Sequence, residues 1–255
     1  MTAKRDKGAP DYVSEILVLD PENVWGKRPT FGNAELAARL GCLSSYEKQG
    51  SFVWYDGFDN GLGAWEYSTP GTGDAVEMSA DHQHTGGYCV KLTTSSSGTY
   101  DTSIAHKERL FKLGGRFGFE VAFTINEDVT RVEFELMLND GLGDTHYMIA
   151  YDKVNTRLEY TDEDDTWQVF EPDLDLYAWG RTYHKLKLRV NSETKKYLRL
   201  FLNHKQWDLS EYSSFYEECG PPTYVMIKVR VFGSNGVNAV AYIDTAILTS
   251  EEPLT

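Results

Sequence analysis

From residue 51 onward the chain alternates with period two. In RFGFEVAFTI, Phe117, Phe119, Val121, Phe123 and Ile125 occupy every second position. In an extended chain such residues share one face, whereas a helix would scatter them around its circumference. Val132, Phe134, Leu136 and Leu138 repeat the pattern, as do Leu186, Leu188 and Val190, then Leu198, Leu200 and Leu202, then Ile227, Val229 and Val231. The last run, NAVAYIDTAIL, is apolar on both faces, as a strand in the middle of a sheet requires. The segments between the runs are turn chemistry. LNDGLGDTHY joins 130–139 to 145–152, DKVNTR joins 145–152 to 156–161, DEDD joins 156–161 to 166–171, and NSETKK joins 183–190 to 197–203. These spacings predict antiparallel hairpins. Roughly a dozen strands and almost no helix predict an all-β, two-sheet antiparallel jelly-roll sandwich.

Residues 1–50 read differently. They hold KRDKGAPD, a short apolar EILVLD and PENVWGKRPTFG, then one helix signal with Asn33 as N-cap before AELAARL and Gly41 as the stop. This predicts an N-terminal extended arm (1–50) with a short helix, followed by the sandwich (51–255). The arm is too small to build its own core, so it packs on the sandwich or on a neighbour.

Charge limits the partners. The 255 residues carry a formal net charge of −14, which repels phosphate backbones and anionic membrane surfaces, so no nucleic-acid or membrane partner is expected. No window reaches the roughly 18 apolar residues of a membrane span, and Val13–Leu19 is too short for the core of a secretion signal. Synthesis in the cytoplasm is the expectation. Three widely spaced cysteines, Cys42, Cys89 and Cys219, read as free thiols, with one pair plus one free thiol as the alternative.

Three segments resemble carbohydrate-binding jelly rolls: DGFDNGLGAW, HTGGYCVKLTT and AVAYIDTAIL. The middle, YHKLKLRVNSETKKYLRLFLNHKQWDLS, resembles laminin-G or concanavalin-A-like sandwiches. The order of segments with its leading arm is similar to virion proteins of tailed bacteriophages. The first resemblance implies a Ca²⁺ shared by the acid after the opening Phe and the acid of the closing strand. Those positions here are Asp59 and Asp244, with Gly86–Gly87 at the matching turn. The family's closing strand often has Asp-Asp, and here Thr245 follows Asp244.

Retaining glycosidases of the related fold carry E-x-D-x-x-E on one strand, which sets two carboxylates about 5 Å apart. The nearest match here is Glu133, Glu135 and Leu138, so the acid series is incomplete and no enzyme is expected. Trp54, Trp65, Trp167, Trp179 and Trp207 offer ring surfaces on which a sugar can stack. Trp179 and Trp207 are the candidates, because both fall beside loops. If the apolar positions point inward, Lys185, Lys187, Arg189, Arg199, Lys228 and Arg230 point outward. Tyr197, Phe201, Met226 and Phe232 then lie among them, on what reads as one basic-aromatic sheet face suited to docking. Glu120, Glu133 and Glu135 are outward on their own strands.

These readings predict a non-enzymatic structural protein of a phage virion, a capsid decoration or appendage, localised in the virion. It would assemble with itself as a homo-oligomer or with other virion proteins, through the arm with Trp25 and through the basic face. The alternative is a glycan-binding protein of the carbohydrate-binding-module type.

Overall fold

A computed structural model describes residues 50–84, 86–96, 101–108, 114–178, 182–220 and 222–254. The arm with Trp25, the helix from Asn33, Cys42 and Trp179 lie outside the described residues. In chain order the strands are β1 (Ser51–Asp56), β2 (Glu66–Ser68), β3 (Ala75–Ser79), β4 (Cys89–Thr93), β5 (Asp101–Glu108) and β6 (Arg116–Ile125). Four consecutive strands follow as a meander: β7 (Val129–Asn139), β8 (Gly143–Asp152), β9 (Arg157–Thr161) and β10 (Trp167–Glu171). The remainder are β11 (His184–Asn191), β12 (Lys196–Leu202), β13 (Lys205–Asp208), β14 (Phe215–Glu218), β15 (Tyr224–Gly233) and β16 (Val240–Ser250).

They form two eight-stranded sheets. Sheet A runs β13-β12-β11-β6-β16-β4-β3, with β1 beside β16, and sheet B runs β10-β9-β8-β7-β15-β5-β2, with β14 beside β8. The four hairpins expected from turn chemistry are the pairs β7–β8, β8–β9, β9–β10 and β11–β12. The strand expected to be apolar on both faces, β16, lies inside sheet A between β6 and β4. The architecture is an all-β jelly-roll sandwich.

The core lies between the sheets, where each alternating run turns its apolar positions. Phe123 of sheet A meets Phe134 of sheet B with ring centroids 4.8 Å apart. Phe58 and Trp65, from the turn-rich segment after β1, are both buried in this core. Asp56 organises that corner: its carboxylate accepts the Phe58 N–H at 2.7 Å and the Trp65 indole N–H at 2.8 Å.

One run departs from its expected facing. A bulge in the β11–β12 register, between Arg189 and Val190, pairs Val190 with Tyr197. Such an extra residue reverses the facing of everything beyond it. Tyr197 therefore points inward, fully buried, and Leu198 drops out of the core cluster. The Tyr197 hydroxyl reaches across to sheet B, where it takes the Met148 N–H at 2.9 Å and donates toward the Thr161 carbonyl at 2.9 Å. Burial pushes the phenol well above its ordinary range, so it stays a neutral donor.

Part of the outer face of sheet A is covered, around Lys187 and Arg189. The chain turns back after β16, and Glu252 is fully buried against that face. Its carboxylate meets Lys187 Nζ at 3.0 Å and Arg189 Nε at 3.2 Å, and accepts the Thr249 hydroxyl. Arg189 Nη2 also donates to the Pro253 carbonyl at 2.8 Å. Gly118, in the middle of the aromatic run of β6, leaves the space: a Cβ there would lie 2.5 Å from Glu252 Oε1. Removing one member of a buried ion cluster strands the others without compensation, at about 3–5 kcal/mol. Glu252→Ala should lower unfolding free energy by about that amount in urea titrations. A loss under about 1 kcal/mol would mean that the C-terminal segment is not held by these ions.

Candidate functional site

The topology divides the expected basic face in two. Lys185, Lys187, Arg189, Arg199 and Phe201 lie on β11 and β12 of sheet A, while Lys228 and Arg230 lie on β15 of sheet B. Their outward faces are on opposite sides of the sandwich, because alternation within a strand says nothing about which sheet the strand joins. Lys187 and Arg189 are also buried, at 2% and 1% exposure, beneath Glu252. The Arg189 guanidinium sits 5.6 Å from the Phe201 ring, which is itself buried. Tyr197 points to the core. The single basic-aromatic face is therefore corrected to two separate environments, one of them covered.

The outer face of sheet B carries an extended polar constellation. Arg131, Glu133 and Glu135 project from β7, with His146, Met148 and Asp152 on β8, Arg157 and Glu159 on β9, and Lys228 and Arg230 on β15. Register sets Arg230 opposite Glu133 and Lys228 opposite Glu135. It sets Met148 opposite Glu135 and Asp152 opposite Arg131 on the other side. Glu133, Glu135 and Glu159 are buried beneath partly exposed cations. Glu133 accepts Arg131 Nε at 2.8 Å on one oxygen and Arg230 Nη1 at 3.0 Å on the other. Glu159 accepts Arg131 Nη1 at 2.5 Å and Arg157 Nη2 at 2.6 Å. Trp167, on β10, lies against this lattice with the Arg131 guanidinium 4.1 Å from its ring centroid. His146 and Asp152 are six residues apart on β8, so the strip is roughly 20 Å long. Glu133, Glu135, Met148, Lys228 and Arg230 line a shallow depression in its middle.

At one end of the strip, His146 Nδ1 pairs with Glu135 Oε1 at 2.7 Å. Burial lowers the imidazole, but the Glu135 hydrogen bond and charge, with Asp144 and Asp165 further off, outweigh it, and the net shift is upward from 6.5. A group raised in the folded state stabilises fully below its unfolded value and loses that contribution as pH rises through the folded one. The stability difference between wild type and His146→Gln should therefore be largest near pH 5 and shrink toward pH 8 in melting curves. A difference that is flat or grows with pH would contradict the pairing.

The two glycosidase-like acids thus have defined partners. Glu133 has both oxygens engaged by guanidinium groups, and Glu135 is committed to His146. The third position, Leu138, is core. No nucleophile–acid pair is assembled there.

Asp59 and Asp244 meet the same turn from two sides. Asp244, fully buried on β16, accepts the His84 N–H at 2.5 Å and the Thr245 hydroxyl at 2.9 Å. Asp59 is exposed and accepts the Gly87 N–H at 2.7 Å. Gly86, at φ +70°, is required there, since a Cβ would lie 2.5 Å from Asp59 Oδ2. Ca²⁺ takes six to eight oxygens. These carboxylates instead face N–H and O–H donors, and no group of three or more His, Cys, Asp or Glu suited to a metal comes together among the described residues. In this structure the two acids act as clamps on the turn. Asp244→Ala leaves buried donors without an acceptor, which costs about 1–3 kcal/mol. The loss should be the same with calcium or with a chelator present. A wild-type melting temperature that rises with calcium would overturn the clamp reading.

Of the stacking candidates, Trp207 is half-buried on β13 and packs edge-on against Phe170 of β10, centroids 6.1 Å apart. It joins the edges of the two sheets. Trp54 and Trp65 pack on the core and around His106. The pairing of β9 and β10 brings Trp167 against the polar strip, on the Arg131 guanidinium.

No family model matches the sequence, and no curated protein matches it. Solved structures do share the fold. An endo-β-1,4-glucuronan lyase from the fungus Trichoderma reesei superposes with a TM-score of 0.56 at 14% identity, over 78% of this chain and 96% of that one. A sialidase gives 0.52 at 10% identity, over 80% of this chain but only 19% of that chain, so this chain spans about a fifth of it. A Bacillus licheniformis β-glucanase gives 0.47 at 14% identity, over 78% and 98%. Likeness at these identities is a likeness of fold.

Proposed function

We propose that the chain is a carbohydrate-binding β-sandwich whose ligand lies along the outer face of sheet B. The observation that carries this reading is the strip itself. It holds a row of polar groups fixed by mutual ion pairs, flanked by an indole ring, on the face that the chain's own C-terminal segment leaves uncovered. A sugar ring offers a flat apolar side and a rim of hydroxyls, and such ligands are held by aromatic surface combined with preorganised polar groups. A strip of roughly 20 Å suits an extended oligosaccharide more than a compact metabolite. The names of the solved neighbours concern glycans, but at 10–14% identity they support the fold only. The virion-assembly reading draws on the arm and Trp25, outside the described residues, and on a joint basic face that the two sheets divide.

The incomplete acid series makes binding, without bond cleavage, the reading to test. Wild-type protein on an array of neutral and acidic glycans should bind at least one class. Trp167→Ala should weaken that binding by about tenfold while the melting temperature stays close to wild type. Binding to no glycan, or binding unchanged in Trp167→Ala, would overturn this site.

A further inference from the structure

His184, at the start of β11, is buried at 4% exposure on the inner face. Its Nε2 lies 2.9 Å from the Tyr177 carbonyl, and its Nδ1 lies 2.9 Å from Asn203 Nδ2. The Asn203 amide is held in that orientation, because its Oδ1 accepts the Lys185 N–H at 3.1 Å. An amide NH2 only donates, so Nδ1 is the acceptor and the ring proton sits on Nε2. The imidazole thus ties the β10–β11 connection (residues 172–178) to the β12–β13 turn, and it does so only while neutral. The same turn meets β10 through Lys205 Nζ, 3.3 Å from Glu171 Oε1. We propose that His184 is an acid-sensitive catch at this corner, where the edges of the two sheets meet. A proton on Nδ1 sets N–H against N–H at Asn203, and turning the amide over only moves the conflict to the Lys185 N–H.

The elements packed on the ring turn uncharged groups to it. β6 presents the Phe123 ring, centroids 5.4 Å apart, the connection presents the Tyr177 carbonyl, and the turn presents the Asn203 amide. The charged residues of the connection and the turn, Asp173, Asp175, His204 and Lys205, are exposed. Lys185 of β11 and Glu120 of β6 alternate onto the outer face, and Tyr183 donates its hydroxyl to the His82 carbonyl. Burial lowers the imidazole from 6.5 by more than the Tyr177 carbonyl raises it. Asn203 would raise it only through Oδ1, and that oxygen serves Lys185, so the amide NH2 favours the neutral ring as well. Below 6.5 an opened corner takes up a proton that the closed corner refuses. The closed state therefore loses stability as pH falls below that value toward the lowered folded one, opposite in sign to His146.

Hydrogen exchange of the full chain, read by mass spectrometry at pH 5 and pH 7.5 and corrected for intrinsic rates, tests the catch. Peptides covering 172–178 and 200–206 should exchange at least about threefold faster at pH 5, with β16 unchanged. His184→Gln keeps a donor for Tyr177 and an acceptor for Asn203 without a titrating group, and should abolish the acceleration. Asn203 lies at φ +54°, which Asp also tolerates, and Asn203→Asp offers the Nδ1 proton an acceptor. That variant should exchange more slowly at pH 5 than at pH 7.5, and it decides the matter alone if His184→Gln does not fold. The catch is overturned by no acceleration in the wild type or by an equal acceleration in every peptide. It is also overturned by an acceleration that survives His184→Gln, or by an unreversed sense in Asn203→Asp.

Discussion

The buried carboxylate of Glu252 is the contact on which the two-sidedness of this molecule depends. Lys187 and Arg189 stand outward on β11, and without a partner they would make the outer face of sheet A a solvated basic surface. With Glu252 beneath the returning chain, that face holds a desolvated ion cluster instead. Such a cluster is not a large source of net stability, since desolvation offsets much of the Coulomb attraction. Its effect is specificity: once two cations are buried, the C-terminal segment has one place to be. Gly118 and Gly50 record the constraint in the sequence, because a side chain at either would collide with the Glu252 carboxylate.

The opposite face answers the same problem differently. Sheet B also turns charges outward from adjacent strands, but there they neutralise each other laterally. Arg131 bridges Glu133 and Glu159, Arg157 completes Glu159, and Arg230 completes Glu133. Cross-strand pairing of opposite charges is the ordinary way to stabilise a polar sheet face. Here it also orders long side chains in advance, and that ordering is what a binding surface needs, because the entropy of fixing them is not charged to the ligand.

Most of the fold was legible from residue spacing. The runs at 117–125, 132–138, 186–190 and 227–231 all bury the expected positions, and the four hairpins fall where Asn, Asp and Gly cluster. Phe58 and Trp65, from the turn-rich segment after β1, both reach the core. Where the reading failed, it failed for a reason. The run at 198–202 misled because a bulge moves Tyr197 inward, and nothing in period-two counting marks a single unpaired residue. Asp56 was overlooked beside Asp59, although an Asp two residues before a buried Phe is a common turn device. Of the site, Glu133, Glu135, Lys228 and Arg230 were identified as outward, but Arg131, Arg157, Glu159 and His146 were missed. Parity marks Arg131, on an outward position of the 131–138 run, whereas His146, Arg157 and Glu159 lie on strands whose faces the alternating runs leave unassigned.

For the unbulged runs the sequence by itself determined which residues face in and which face out, because alternation is a property of a single extended chain. The bulge that turns Tyr197 inward was decided by strand pairing. The sequence also determined the turns, because their chemistry is local. Only the tertiary structure decided which strands share a sheet. That decision separates Lys187 from Lys228, joins Arg131 to Glu159 and sets Trp167 over the strip. Strand pairing is fixed by non-local packing and hydrogen bonding, and two strands with the same pattern of faces can lie on opposite sides of one core.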